Sequence, residues 1–164
     1  MRLLSESQKF LLAELKSVRR APTNVRIPAH PLPPQIATTT SKSNITFREF
    51  QHPWGQHSII ARFEPSSSLL STKIVILSAH QDSINQLVFL PAPGVDDDGS
   101  GTTSNLMAFK ALVAAGFVPS THAVELHFYS AEEGGMLGSQ AVAQGYREEG
   151  KSVRGMLHLD QTAW

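Results

Sequence analysis

Residues 73–79 read Lys-Ile-Val-Ile-Leu-Ser-Ala (KIVILSA), a nearly continuous apolar run. A strand with one wet face would alternate apolar and polar residues. A run this uniform belongs to a strand buried on both faces, as in a parallel sheet covered by helices. The residues that follow support that setting. Residues 101–115 read as a helix with Leu106, Phe109 and Val113 along one side and Gly116 as its C-cap. His122 to Tyr129 reads as a strand, 135–149 as a helix closing near Gly150, and Val153 to Leu159 as a further strand. This alternation predicts an α/β fold with a mostly parallel central sheet sandwiched by helices.

Working back from residue 73, Ile45 to Phe50 and Ser58 to Phe63 read as two strands separated by Pro53 and Gly55. Residues 21–44 carry Pro22, Pro28, Pro31, Pro33 and Pro34 and then a Thr/Ser cluster, the composition of a linker. Residues 5–20 read as a helix, with capping-box spacing at Ser5 and Gln8 and an apolar stripe of Leu11, Leu15 and Val18. The expected organisation is an N-terminal, propeptide-like segment over 1–44 and the main domain over 45–164.

The bulk properties narrow the function. Lys plus Arg balances Asp plus Glu, 14 against 14, so neither a nucleic-acid footprint nor a membrane-surface stripe is expected. No apolar run approaches the roughly 20 residues that span a bilayer. Glu6, Lys9 and Glu14 interrupt any signal-peptide core at the start. The chain has no cysteine, which excludes disulfides, thiolate metal sites and a cysteine nucleophile.

Ligands of such sheets bind beyond the carboxyl ends of the strands. Four acidic or histidine clusters fall there: Ser78-Ala79-His80-Gln81-Asp82, Gly94-Val95-Asp96-Asp97-Asp98-Gly99, Ser130-Ala131-Glu132-Glu133-Gly134 and Leu157-His158-Leu159-Asp160. Singly, each has an ordinary reading as a structural histidine, a solvated turn or acids at a helix start. Jointly, their register with strand ends points to a zinc site, because imidazole and carboxylate are zinc ligands. A two-metal site also needs a bridging carboxylate and a base that does not ligate. Glu132 and Glu133 can divide the work of ligand and base, and Asp82 can orient the His80 ring.

At these residues the sequence resembles the zinc leucyl aminopeptidases of bacteria and fungi, exopeptidases with two co-catalytic zinc ions, and most of all the fungal branch. The matching text is HPWGQHSIIARF (52–63), ILSAHQDSIN (76–85), PAPGVDDDGSG (91–101), YSAEEGGMLGSQA (129–141) and MLHLDQT (156–162). The resemblance implies a Zn-peptidase, phosphorylase/hydrolase-like fold. It implies that His80 and Asp160 ligate one zinc, Glu133 the other, and Asp97 bridges them. It makes Glu132 the general base, Asp82 the partner of His80, and the Asp97–Asp98 peptide bond cis. The implied activity is removal of N-terminal residues, with a leucine-type preference, from peptides with a free amino end, through a water activated by two zinc ions. A secreted monomer is expected.

The family's fifth ligand is a histidine well downstream of the position matching Asp160, and this sequence stops at Trp164. His30, His52, His57, His122, His127 and His158 all lie before or within the matched motifs, and His158 reads as a neighbour of Asp160 rather than a replacement. The resemblance therefore implies a chain incomplete at its C-terminus, holding one zinc more tightly than a second and weakly active by itself. Two other readings compete. A related zinc amidohydrolase or deacylase would act on N-blocked substrates. A non-catalytic metal-binding fragment would bind metal without turnover.

Overall fold

A computed structural model describes residues 6–20, 44–66, 73–87 and 89–163. Its elements in chain order are α1 (Glu6–Arg20), β1 (Ile45–Phe50), β2 (Ser58–Phe63), β3 (Lys73–His80), α2 (Gly99–Ala114), β4 (Ala123–Tyr129), α3 (Leu137–Glu148) and β5 (Ser152–His158). Ser5, His30 and the proline-rich stretch up to residue 43 lie outside the described residues, so the Ser5 cap and the linker expected there do too. Gln8, the other half of the expected capping box, is buried, with its Oε1 facing the His57 N–H at 3.5 Å.

The strands form one sheet in the order β1-β2-β4-β3-β5. β3 runs parallel to β4 and to β5, as the strand–helix alternation after residue 73 predicts. β1 and β2 form an antiparallel hairpin, and β2 joins β4 antiparallel, so the whole sheet is mixed. The connections fit these directions. An antiparallel pair closes through a short loop, here 51–57, whereas parallel neighbours need a helical crossover.

Period-two alternation sorts the side chains between two cores. Ile59, Ala61 and Phe63 of β2 and Leu126 and Phe128 of β4 face one way. They pack with Leu106 and Phe109 of α2 and Leu11, Leu12 and Leu15 of α1. Helix α1 thus shares its core with the strands that follow the 21–44 stretch. Phe63, Phe109 and Phe128 are fully buried, and the Phe63 and Phe109 rings meet at 5.6 Å. Burying each ring contributes about 1.5–3 kcal/mol. On the opposite face, Ile60, Ile74, Ile76 and Tyr129 pack beneath Val142 and Tyr146 of α3.

This second core also holds charge. The Glu125 carboxylate is 1% exposed and accepts hydrogen bonds from Arg62 (2.7 Å) and Tyr146 (2.6 Å), with His127 Nε2 at 2.8 Å. Burial alone would raise the Glu125 carboxyl; His127, Tyr146 and Arg62 together bring it down to about 2. Burial keeps His127 neutral, so its Nε2–H donates to Glu125 and its Nδ1 accepts from the Tyr129 hydroxyl at 3.0 Å.

The topology makes the crevice. From β3 the chain crosses through α2 to β4, then returns through α3 to β5 on the far side of β3. The connection from β3 runs over one face of the sheet and the connection from its neighbour β4 over the other, which opens a space beyond the carboxyl ends of these two strands. His80 pairs with Tyr129, and Ser78 with His158, so β3 and β4 end level there and β5 ends two residues short of them. Strand β5 pairs along one edge with β3, and its seven residues are exposed. No helix among the described residues is long and apolar enough to cross a membrane.

Candidate metal centre

His80 closes β3 and is fully buried. Its Nδ1 lies 3.0 Å from the backbone carbonyl oxygen of Asp82. A carbonyl only accepts, so Nδ1 carries a proton, which leaves Nε2 as the ring atom that could ligate a metal. That Nε2 is buried without a hydrogen-bond partner. It faces Asp97 Oδ1 at 3.1 Å, Asp160 Oδ1 at 3.9 Å and Glu132 Oε2 at 4.0 Å. Three carboxylates from three separate loops thus converge on one imidazole nitrogen. Burial would lower the His80 pKa, but Asp82, Asp98 and Glu132 raise it to about 9. The cluster stabilises a positive charge at this point, whether a proton or a metal ion supplies it.

The Asp97–Asp98 peptide bond is cis. The two aspartates differ in what they do. Asp98 is 2% exposed and caps α2: Oδ1 accepts the Gly101 N–H at 2.8 Å, and Oδ2 accepts the His80 N–H at 3.1 Å. It lies within 4.8 Å of ligand-capable atoms of His80 and Asp160, a spacing a metal could use. Because both Asp98 oxygens are already engaged by backbone N–H groups, Asp97 is the freer donor. The Asp97 side chain is 46% exposed, and its Oδ2 accepts from Gln161 Nε2 at 3.0 Å. The sequence reading passed over Asp98; its signal was an aspartate three residues before Gly101, the spacing of a helix cap. A Cβ at Gly101 would run into the Asp98 carboxylate and come within 2.7 Å of the Leu159 carbonyl, so α2 needs glycine there.

Asp82 meets the His80 ring through its backbone and takes on a second task with its side chain. Its carboxylate oxygen is 3.6 Å from His80 Nδ1, too long for a hydrogen bond, and the Asp82 backbone carbonyl holds the ring instead. The two carboxylate oxygens accept the N–H groups of Glu132 and Glu133, each at 3.1 Å. Burial would raise the Asp82 carboxyl, and His80 with these two N–H groups lowers it below the ordinary carboxylate range. Glu133 Oε1 accepts the Ile84 N–H at 3.1 Å. Partial burial and the charge of Asp97 push the Glu133 carboxyl up, which places the two acids within electrostatic reach.

The structure therefore brings His80, Asp97, Glu132 and Asp160 together at one nitrogen, with Asp82 and Glu133 alongside. His158 stays a neighbour: its Nδ1 lies 2.8 Å from the Ser78 hydroxyl, and its ring stacks at 6.5 Å from His80. The donor set suits a metal ion. An imidazole lone pair and several carboxylates repel one another unless a cation lies between them, and His with Asp or Glu is a ligand set that zinc accepts.

Residues 58–164, all of β2 onward, match peptidase family M28. The chain belongs to that family. Among its relatives, leucine aminopeptidase 1 of Blastomyces gilchristii is 47% identical over 138 residues, covering 79% of this chain and 35% of its own length. This chain thus spans about a third of that relative. The LapA aminopeptidase of Legionella pneumophila superposes with a TM-score of 0.70 at 19% identity, over 96% of this chain and 36% of LapA. BSAP, a zinc aminopeptidase from Bacillus subtilis, superposes with a TM-score of 0.51 at 29% identity, over 65% of this chain and 24% of BSAP. The M28 match begins at the first residue of β2 and takes in all four clusters around His80.

Proposed function

We propose that this chain is the metal-bearing part of a zinc aminopeptidase that removes residues, leucine among them, from the free amino end of peptides. The carrying observation is the buried His80 Nε2, without a hydrogen-bond partner and faced by carboxylates from three loops. Family membership and the relatives' names support the same reading.

His80, Asp97 and Asp160 would hold one zinc, and Glu133 with Asp97 would contribute to a second. Zinc there would supply Lewis acidity, lowering the pKa of water and polarising the scissile carbonyl. The chain's own residues do the rest. Glu132 sits 4.0 Å from His80 Nε2 with its side chain 30% exposed, so it reaches both the site and solvent. It takes the proton from the attacking water and delivers it to the leaving amine. Asp82 holds the backbone of Glu132 and Glu133 in register with His80. The acidic mouth favours a positively charged substrate amine over a blocked one. The enzyme acts as a secreted monomer on this reading.

The test uses the gene product carrying residues 1–164, first stripped of metal and then titrated with zinc. Leucine release from leucine anilide is compared with release from the N-acetylated analogue. Zinc-dependent release from the free-amine substrate alone is expected. Preference for the acetylated substrate would make it a deacylase, and zinc binding without turnover of either would make it a non-catalytic metal-binding chain.

A further inference from the structure

The β1–β2 connection, residues 51–57, takes no part in the chemistry above, yet it grips both sides of the site. On one side is Ser130, fully buried and two residues before Glu132. Its N–H donates to the Ser58 hydroxyl at 3.1 Å. Its own hydroxyl donates to the Gln56 carbonyl at 3.1 Å and accepts the Trp54 indole N–H at 3.2 Å. Ser58 Oγ also lies 2.8 Å from His52 Nε2, and the His52 ring stacks on Trp54 at 4.4 Å and 8°. On the other side is Gln81, next to His80. Its amide donates to the His57 carbonyl at 2.7 Å and to the Phe128 carbonyl at 3.2 Å.

The segment being held needs holding. Ala131, between Ser130 and Glu132, has φ +54°, a left-handed conformation that costs a residue with a Cβ about 1–2 kcal/mol. Such a conformation persists only where its surroundings over-determine it. The surroundings are identifiable. The hairpin loop fixes Ser130 from one end, the Asp82 carboxylate fixes the N–H groups of Glu132 and Glu133 from the other, and the Ala131 carbonyl accepts the Leu137 N–H at 2.9 Å. Packing closes the arrangement, since a Cβ on Gly138 would overlap the Ser130 carbonyl.

We infer that the 51–57 loop is a positioning device for Glu132 and Glu133, with Trp54 and His52 as positioning residues that act through Ser130 and Ser58. By holding Ser130 and Gln81 together, the loop sets the distance between the acidic pair and His80. The inference rests on the proposed zinc aminopeptidase reading. It assigns these residues to placement of the acidic pair, not to substrate contact.

Trp54→Phe keeps an aromatic ring on His52 and removes only the indole N–H, at a side chain that is 39% exposed. Ser130→Ala removes the acceptor of the same bond together with the donor to the Gln56 carbonyl, and keeps the Ser130 N–H. The measurements, on the full gene product, are zinc affinity by calorimetry, kcat and KM for leucine anilide, and amide hydrogen exchange over 131–134. Each variant is expected to bind zinc about 3- to 10-fold more weakly, the size of one hydrogen bond. Each should lose kcat by a similar factor at unchanged KM and exchange faster at 131–134. The double variant should be no worse than Ser130→Ala alone, because the bond that Trp54→Phe removes is already lost there. Wild-type protein that binds zinc beside variants equal to it in affinity, kcat and exchange would overturn the positioning role and leave the aminopeptidase reading standing. So would a rise in KM at constant kcat, the mark of substrate contact. Wild-type protein that binds no zinc would overturn both. Should either variant fail to fold by circular dichroism, the other carries the comparison.

Discussion

At the residue scale, two adjacent glutamates have different surroundings. Glu133 is tied to the Ile84 N–H and raised by partial burial and then by the charge of Asp97, whereas Glu132 reaches toward His80 from a part-exposed position. On the proposed reading, Glu132→Gln keeps fold and zinc affinity and lowers kcat by about 10²- to 10⁴-fold, the usual worth of a general base. Calorimetry beside a leucine anilide assay checks both halves; a loss of only a few-fold would assign the proton to another group. His80→Ala removes the imidazole at the centre of the cluster while leaving its carboxylates facing one another. Zinc affinity is expected to fall by at least 10²-fold, measured in competition with a chelator of known affinity. These residues were legible in the sequence because their side-chain chemistry is unusual for a strand end. The cap formed by Asp98 went unread in the sequence, because its spacing to Gly101 is only one of those that three consecutive aspartates offer.

At the scale of elements, α2 joins the larger core to the site. Its Phe109 is fully buried between Phe47 and Phe63, and its N-terminus is capped by Asp98, which also takes the His80 N–H. Phe109→Ala is expected to cost about 3–5 kcal/mol of unfolding free energy, because the surrounding rings cannot collapse into the space. Asp98→Ala removes a cap worth about 0.5–2 kcal/mol and leaves the buried His80 N–H without its acceptor. Urea unfolding with zinc absent measures both, and an Asp98 variant as stable as wild type would show that the cap contributes nothing. The strands and helices were readable from periodicity to within a residue or two. The partner of β2 was not. An apolar strand such as Ser58–Phe63 can pair on either edge in either direction, and only contact with β4 settles it.

At the scale of the molecule, the charge buried beneath α3 links stability to pH. Glu125 is held at about 2 in the folded chain against an ordinary value of 4.5. A depressed carboxyl stabilises the fold fully above its unfolded pKa and loses that contribution as pH falls toward its folded one. The window therefore runs from about pH 4.5 down to about 2, and the term is on the order of 3 kcal/mol. Glu125→Gln should be less stable than wild type at pH 7, and the gap should narrow as pH falls through that window. A gap that stays constant from pH 7 to pH 2 would place the acid-sensitive term elsewhere. Zinc gives a second whole-molecule readout. A metal bound only by the folded chain raises Tm, by an amount equivalent to about 2.7 kcal/mol at a hundredfold excess over Kd. The chelator-treated protein should lose that increment and regain it when zinc is restored.

Amino-acid order alone determined the elements, because hydrophobic period is a local property: KIVILSA is a doubly buried strand wherever it lies. It also determined which acids and histidines stood at strand ends, and hence the chemistry of the cluster. Tertiary structure decided what depends on residues far apart in the chain. It placed the hairpin beside β4, set the Asp82 carboxylate on the backbone N–H groups of Glu132 and Glu133 as well as near the His80 ring, and ran Trp54 to Ser130 across 76 positions. These are hydrogen bonds between common polar groups, which carry no period and no composition. Their geometry exists only once the sheet has brought the groups within about 3 Å of each other.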